Sequence, residues 1–118
     1  DRIDMGLTLR DEIRPDVIPL NFLAPITGTP LENTEPLAAR EILNVIAMYR
    51  LMMPTTDIKI AGGREINLRD LQSWIFYAGA TSILVGNYLT TAGRSAGDDL
   101  TMIRDLGMQV VDNAWRQP

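Results

Sequence analysis

The chain has 118 residues, 46% apolar and 22% charged, with 15 acidic against 11 basic side chains, a formal charge of −4, and neither Cys nor His. That length suits one domain or part of one, and it can bury a core without disulfides or structural zinc. Lacking thiols and imidazoles, this chain alone excludes a thiolate-held iron–sulfur cluster, a zinc finger, a Cys nucleophile and a Ser-His-Asp triad.

The acidic balance, with no Lys/Arg run, gives no footprint for nucleic acid. The longest apolar stretch, Trp74 to Gly86, is interrupted by Gly79, Thr81 and Ser82. It falls short of the roughly 20 residues a spanning helix needs, so no membrane segment is expected. A domain without a disulfide framework or signal peptide is compatible with the cytoplasm.

Arg2 to Ile13 sets Ile3, Leu7 and Ile13 toward one side, a helical pattern that Pro15 ends; the chain is expected to open inside that helix without a cap. Val17 to Leu23 is a nearly continuous apolar run. It predicts a strand buried on both faces, although Pro19 removes one ladder donor. After a loop holding Pro25, Gly28, Pro30 and Pro36, the segment Leu37 to Met53 repeats Ile42, Val45, Ile46, Tyr49 and Met52 at three- and four-residue steps. This predicts a helix closed by Pro54. Ile58 to Ala61 reads as a brief strand ended by Gly62-Gly63. Leu68 to Tyr77 then reads as a helix capped by Asn67 and stopped by Gly79, with Trp74 and Tyr77 packing on one face. Ser82 to Val85 makes a third strand, and Asp98 to Leu106 a last helix with Leu100, Ile103 and Leu106 inward.

Strands alternating with helices at this spacing predict an α/β fold with a parallel sheet. Three βα units are too few for a (β/α)8 barrel of about 250 residues, and an opening helix with no strand before it reads as a cut. The expected architecture is the C-terminal βα units, about three strands, of a TIM-type barrel. Residues 1–94 would hold those units and residues 95–118 a C-terminal helix and mobile tail.

Ligands of such barrels bind at the C-terminal ends of the strands. Asn21, the polar residue of an apolar strand, could donate to and accept from a ligand there, or make a local turn-forming hydrogen bond. Lys59 alternates with Ile58 and Ile60, so it either faces the interior with a partner or snorkels from the strand end. Gly62-Gly63 and Gly86 could offer N–H groups to an anion, or only turn the chain. Arg64 and Glu65 are expected at a loop surface with no role, and the methionines as core filler.

Five segments carry a resemblance: Ile18-Pro19-Leu20-Asn21-Phe22-Leu23, Gly28-Thr29-Pro30-Leu31, Met52-Met53-Pro54, Ile60-Ala61-Gly62-Gly63-Arg64-Glu65 and Gly86-Asn87-Tyr88-Leu89-Thr90-Thr91. In this order and at this spacing, up to about Val111, the chain resembles the C-terminal part of the biotin synthase family, with its biotin and thiamin synthesis-associated region. The resemblance implies a radical S-adenosylmethionine enzyme built on a (β/α)8 barrel. A 4Fe-4S cluster there generates a 5′-deoxyadenosyl radical, the radical abstracts hydrogen from dethiobiotin, and an auxiliary 2Fe-2S cluster donates sulfur. It also implies a homodimer served by an electron-donor protein. The family's Cys-x-x-x-Cys-x-x-Cys loop is absent from this sequence, so the chain is expected to be inactive by itself.

By position, Asn21 matches the family's residue for the dethiobiotin ureido group, and Ala24 falls where a backbone group meets the adenine of S-adenosylmethionine. Lys59 falls where members carry an Arg ligand of the auxiliary cluster. That departure leaves the cluster's type and ligation open, because a protonated Lys has no lone pair to give. Two alternatives stand beside this reading. One is a related radical enzyme with the same C-terminal region, such as the tyrosine lyase of thiazole synthesis or a hydrogenase maturase. The other is a binding module, the end of a phosphate-binding barrel using Gly62-Gly63 and Val85-Gly86.

Overall fold

Three short strands make the sheet: β1 (Val17–Leu20), β2 (Asp57–Ile60) and β3 (Ser82–Ile83). They come from a computed structural model that describes residues 1–23, 25–86 and 95–111, divided into two units, Asp1–Leu84 and Val85–Pro118. The strands lie in the order β1-β2-β3, every pair parallel, with Ile18 beside Ile58 and Ile60 beside Ile83. This is the parallel α/β arrangement expected of consecutive βα units, because each connection is long enough to carry a helix back to the start of the next strand.

Period-two alternation divides the two faces of the sheet. Ile18, Ile58 and Ile60 are buried against Ile42, Val45, Ile46 and Tyr49 of α2 (Ala39–Met52) and Ile75 of α4 (Trp74–Ala78). The other face carries the row Pro19, Lys59 and Ser82, of which Pro19 is exposed and the other two half-buried. The expectation of a β1 buried on both faces therefore fails at Pro19. The proline is nonetheless well placed, because the Phe22 N–H donates to Gly62 O at 2.9 Å. Counting back by two aims the nitrogens of Leu20 and Ile18 at β2 as well, so the Pro19 nitrogen faces the open edge, where no donor is lost.

The first helix differs from its expected form. The chain does carry a cap: the Asp1 carboxylate accepts from Ile3 N at 2.7 Å and Asp4 N at 3.0 Å, opening α1 (Arg2–Thr8). A π-helical turn, Leu9–Ile13, follows and ends at Arg14 in the left-handed region (φ 51°), the residue before Pro15. Ile3 and Ile13 are exposed, and α1 instead docks through Gly6, where an added Cβ would stand 2.8 Å from Met52 Sδ and 2.9 Å from Tyr49 Cε1.

The helix expected from Leu68 to Tyr77 is three pieces: α3 (Arg64–Leu68), a 3₁₀ turn (Arg69–Leu71) and α4. Asn67 sits inside α3 and does not cap it. Ile75 is the fully buried residue of α4, while Trp74 and Tyr77 are exposed, contrary to their expected packing. Gly79 does stop α4, at φ 129°. Its missing side chain admits Arg50, whose Cβ and Cγ would lie 2.6 Å from an added Cβ. From there the Arg50 guanidinium donates to Gly79 O (3.0 Å), Met53 O (2.9 Å) and Pro54 O (3.0 Å), closing the end of α2 and tying it to α4.

In the second unit, α5 (Ala96–Asp105) is capped by Ser95, whose Oγ accepts from Asp98 N at 3.1 Å. Leu100 is exposed, with Ile103 and Leu106 half-buried, so the expected inward face is only partly realised. The end of the expected mobile tail, residues 112–118, and the stretch before the expected boundary at residues 94 and 95, lie outside the described residues. Among the described residues no helix is long and apolar enough to cross a membrane.

Gly79→Ala forces both a positive φ on a residue with a Cβ and a clash with the Arg50 stem, and is expected to cost at least about 1–3 kcal/mol. Thermal unfolding measures it, and an unchanged midpoint would count against the Arg50–Gly79 tie.

Candidate functional site

The backbone pairing of β1 with β2 runs past the strands. Ala61 N donates to Leu20 O and Phe22 N to Gly62 O, each at 2.9 Å. Where the next backbone acceptor is missing, a side chain supplies it: Gly62 N donates to Asn21 Oδ1 at 2.9 Å. The local turn-forming alternative for Asn21 therefore falls, since its partner is 41 residues away. The side chain is exposed, and among the described residues its amide nitrogen has no partner.

One residue on, the chain comes so close to β1 that a side chain is impossible. Gly63 has φ 82°, and a Cβ there would overlap the Phe22 carbonyl oxygen. Asn67, one helical turn later, donates from Nδ2 to Gly63 O at 2.7 Å and to Leu23 O at 3.0 Å. Three hydrogen bonds and one glycine thus fix the segment Asn21–Leu23 at the C-terminal edge of the sheet, the end at which barrels of this kind bind their ligands.

Arg64 overturns its expected surface position, for it is fully buried. Its guanidinium donates from Nη1 to Gln72 Oε1 at 2.8 Å and from Nη2 to Leu84 O at 3.2 Å, and Nη2 stands 3.5 Å from Glu65 Oε1. It holds the residue following β3 against the start of α3. Arg64, Asn67 and Gln72 were not singled out as site residues in the sequence, where their only signal is adjacency to the Gly-Gly pair and a helical spacing from it.

Lys59 projects from the sheet face away from the helices and is half-buried; among the described residues it has no hydrogen-bond or ion-pair partner. Ala24 lies outside the described residues. The anion-cradle alternative loses a donor, because the Gly62 N–H is already bonded to Asn21. Iron–sulfur ligation does not fit what is present: the sequence has no Cys, the described residues hold no group of three or more His, Cys, Asp or Glu suited to a metal, and protonated Lys offers no lone pair.

The family model for the Biotin and Thiamin Synthesis associated domain matches residues 19–109. The chain belongs to this family. It is 57% identical over 109 residues to a biotin synthase of Geotalea daltonii, covering 92% of this chain and 33% of that relative. It is 54% identical over 110 residues to a biotin synthase of Citrifermentans bemidjiense, covering 93% of this chain and 33% of the relative. With a biotin synthase of Trichlorobacter lovleyi it shares 50% identity over 115 residues, 98% of this chain and 34% of the relative. The chain therefore spans about a third of the length of these curated relatives, and its likeness is to their C-terminal part. The resemblance read from the five sequence segments is thereby borne out at the level of family.

Arg64→Ala in this family member leaves Gln72 Oε1 and Leu84 O without a donor they now have, each worth about 1–3 kcal/mol if it stays buried. A loss of several degrees in unfolding temperature is expected, with Arg64→Lys restoring little, because an ammonium cannot span both acceptors as the planar fork does.

Proposed function

We propose that this chain forms the substrate-facing C-terminal strands of a biotin synthase, in which dethiobiotin is converted to biotin by radical S-adenosylmethionine chemistry. The Asn21–Gly62 hydrogen bond carries the reading. With one lone pair of Oδ1 on the Gly62 N–H, the amide has its NH2 group to turn toward a ligand as a donor, beside one remaining acceptor position. A ureido group presents one carbonyl acceptor, which such a donor complements. The relatives' name supports biotin synthase over the tyrosine lyase and hydrogenase maturase alternatives.

On this reading S-adenosylmethionine supplies the hydrogen-abstracting radical, with Ala24 beside its adenine, and both the 4Fe-4S cluster and the auxiliary cluster are held mainly by residues outside this chain. Lys59 contributes a positive charge on the interior face and ligates nothing. The homodimer, the electron-donor protein, the cytoplasmic setting and the division at residues 94 and 95 belong to the same proposal.

The test uses a full-length biotin synthase in which this segment replaces the corresponding part. Asn21→Ala should weaken dethiobiotin binding roughly 5- to 150-fold, equivalent to about 1–3 kcal/mol for an unpaired buried carbonyl. Asn21→Asp keeps the Gly62 bond but sets a carboxylate oxygen against that carbonyl, so binding should fall while stability is retained. An unchanged dissociation constant in both variants would remove Asn21 from the site. Lys59→Met should change the iron and sulfide content of the auxiliary cluster while sparing the radical-generating one; identical content in both would assign Lys59 no charge role.

A further inference from the structure

We propose that Asn67 is a positioning residue, holding Asn21–Leu23 in its ligand-ready place through the Leu23 carbonyl. This rests on the reading of Asn21 as substrate-facing.

The orientation of the Asn67 amide is fixed by its neighbours. Both groups within reach of Nδ2, Gly63 O at 2.7 Å and Leu23 O at 3.0 Å, are carbonyls, and a flipped amide would set oxygen against oxygen twice. Asn67 is 2% exposed, and its Oδ1 is buried without a hydrogen-bond partner among the described residues. An acceptor left unsatisfied in the interior is unfavourable, and an apolar residue at this place in α3 would avoid it. What retains an amide here is the double donation. One of those bonds, to the carbonyl four residues earlier, serves the helix itself. The other crosses 44 residues and serves the exit of β1.

That second bond acts where other restraint ends. Phe22 is tied by its N–H to Gly62 O, and Asn21 by its side chain to Gly62 N, but among the described residues the last tie on the segment is Asn67 to Leu23 O. With that tie lost, the exit samples other positions, and apparent affinity falls by the fraction of time the segment is in register. Occupancy of the right position one-tenth of the time raises the dissociation constant about tenfold.

Asn67→Ser separates the two bonds. Its hydroxyl can still donate to the carbonyl four residues earlier, keeping the helix start, but is too short to reach Leu23. In the full-length enzyme this variant should speed hydrogen exchange in the peptide spanning residues 18–25, read by mass spectrometry. It should also raise the dethiobiotin dissociation constant about tenfold and leave turnover at saturating substrate within about twofold. On an Asn21→Ala background the same change should add almost nothing, because residues acting through one element are not additive. Unchanged exchange overturns the proposal, as does an effect on binding that adds in full to that of Asn21→Ala. If Asn21→Ala alone leaves dethiobiotin binding unaltered, it is the substrate reading that falls. The exchange rate then decides separately whether Asn67 holds the segment.

Discussion

The hydrogen bond from the Gly62 backbone to the Asn21 side chain stands at the point where a parallel ladder runs out of backbone partners. A strand that ends in water can leave its last N–H groups to solvent, whereas one whose end is held in place needs other partners for them. Here side-chain amides take over from the ladder, first Asn21 and then Asn67, where Gly63 lets the two chains approach. A methyl group on Gly62 would stand 3.1 Å from Asn21 Oδ1, and one on Gly63 would displace Phe22. Gly63 is thus a requirement of the close approach, and the turn it makes is a secondary consequence.

Two arginines extend the same logic to the helices. Arg50 gathers three carbonyls at the junction of α2 and α4, and Arg64 links Gln72 to Leu84. A planar fork with five donors can serve acceptors from several segments at once. Both side chains stand where short helices and turns leave carbonyls outside the regular ladders. The irregular stretch from α3 to α4 is therefore held by directed bonds, with Ile75 and Leu68 supplying its apolar contacts.

Much of the plan was legible in the residues. The repeat of Ile42, Val45, Ile46 and Tyr49 predicted α2 to within two residues, because a long amphipathic pattern closed by Pro54 admits no other period. The alternation around Lys59 gave its face correctly, since opposite pleats follow from strand geometry alone. Where the segments were short, local signals competed. Asn67 carried the residue type of a cap, and Trp74 and Tyr77 the bulk of core residues, yet tertiary contacts placed the first inside α3 and left the other two exposed.

Sequence by itself determined the class of fold, the parallel order of the strands, the family and the edge of the sheet at which to look. It did so because periodicity, chain breakers and motif spacing are properties of neighbouring residues. Only the tertiary structure decided what the polar side chains do. Arg64 lies buried 20 residues from the carbonyl it holds, Asn21 bonds a glycine 41 residues away, and Asn67 reaches across 44. No local pattern encodes such distances. They arise when burial removes water as a partner and each remaining donor must find its acceptor across the fold.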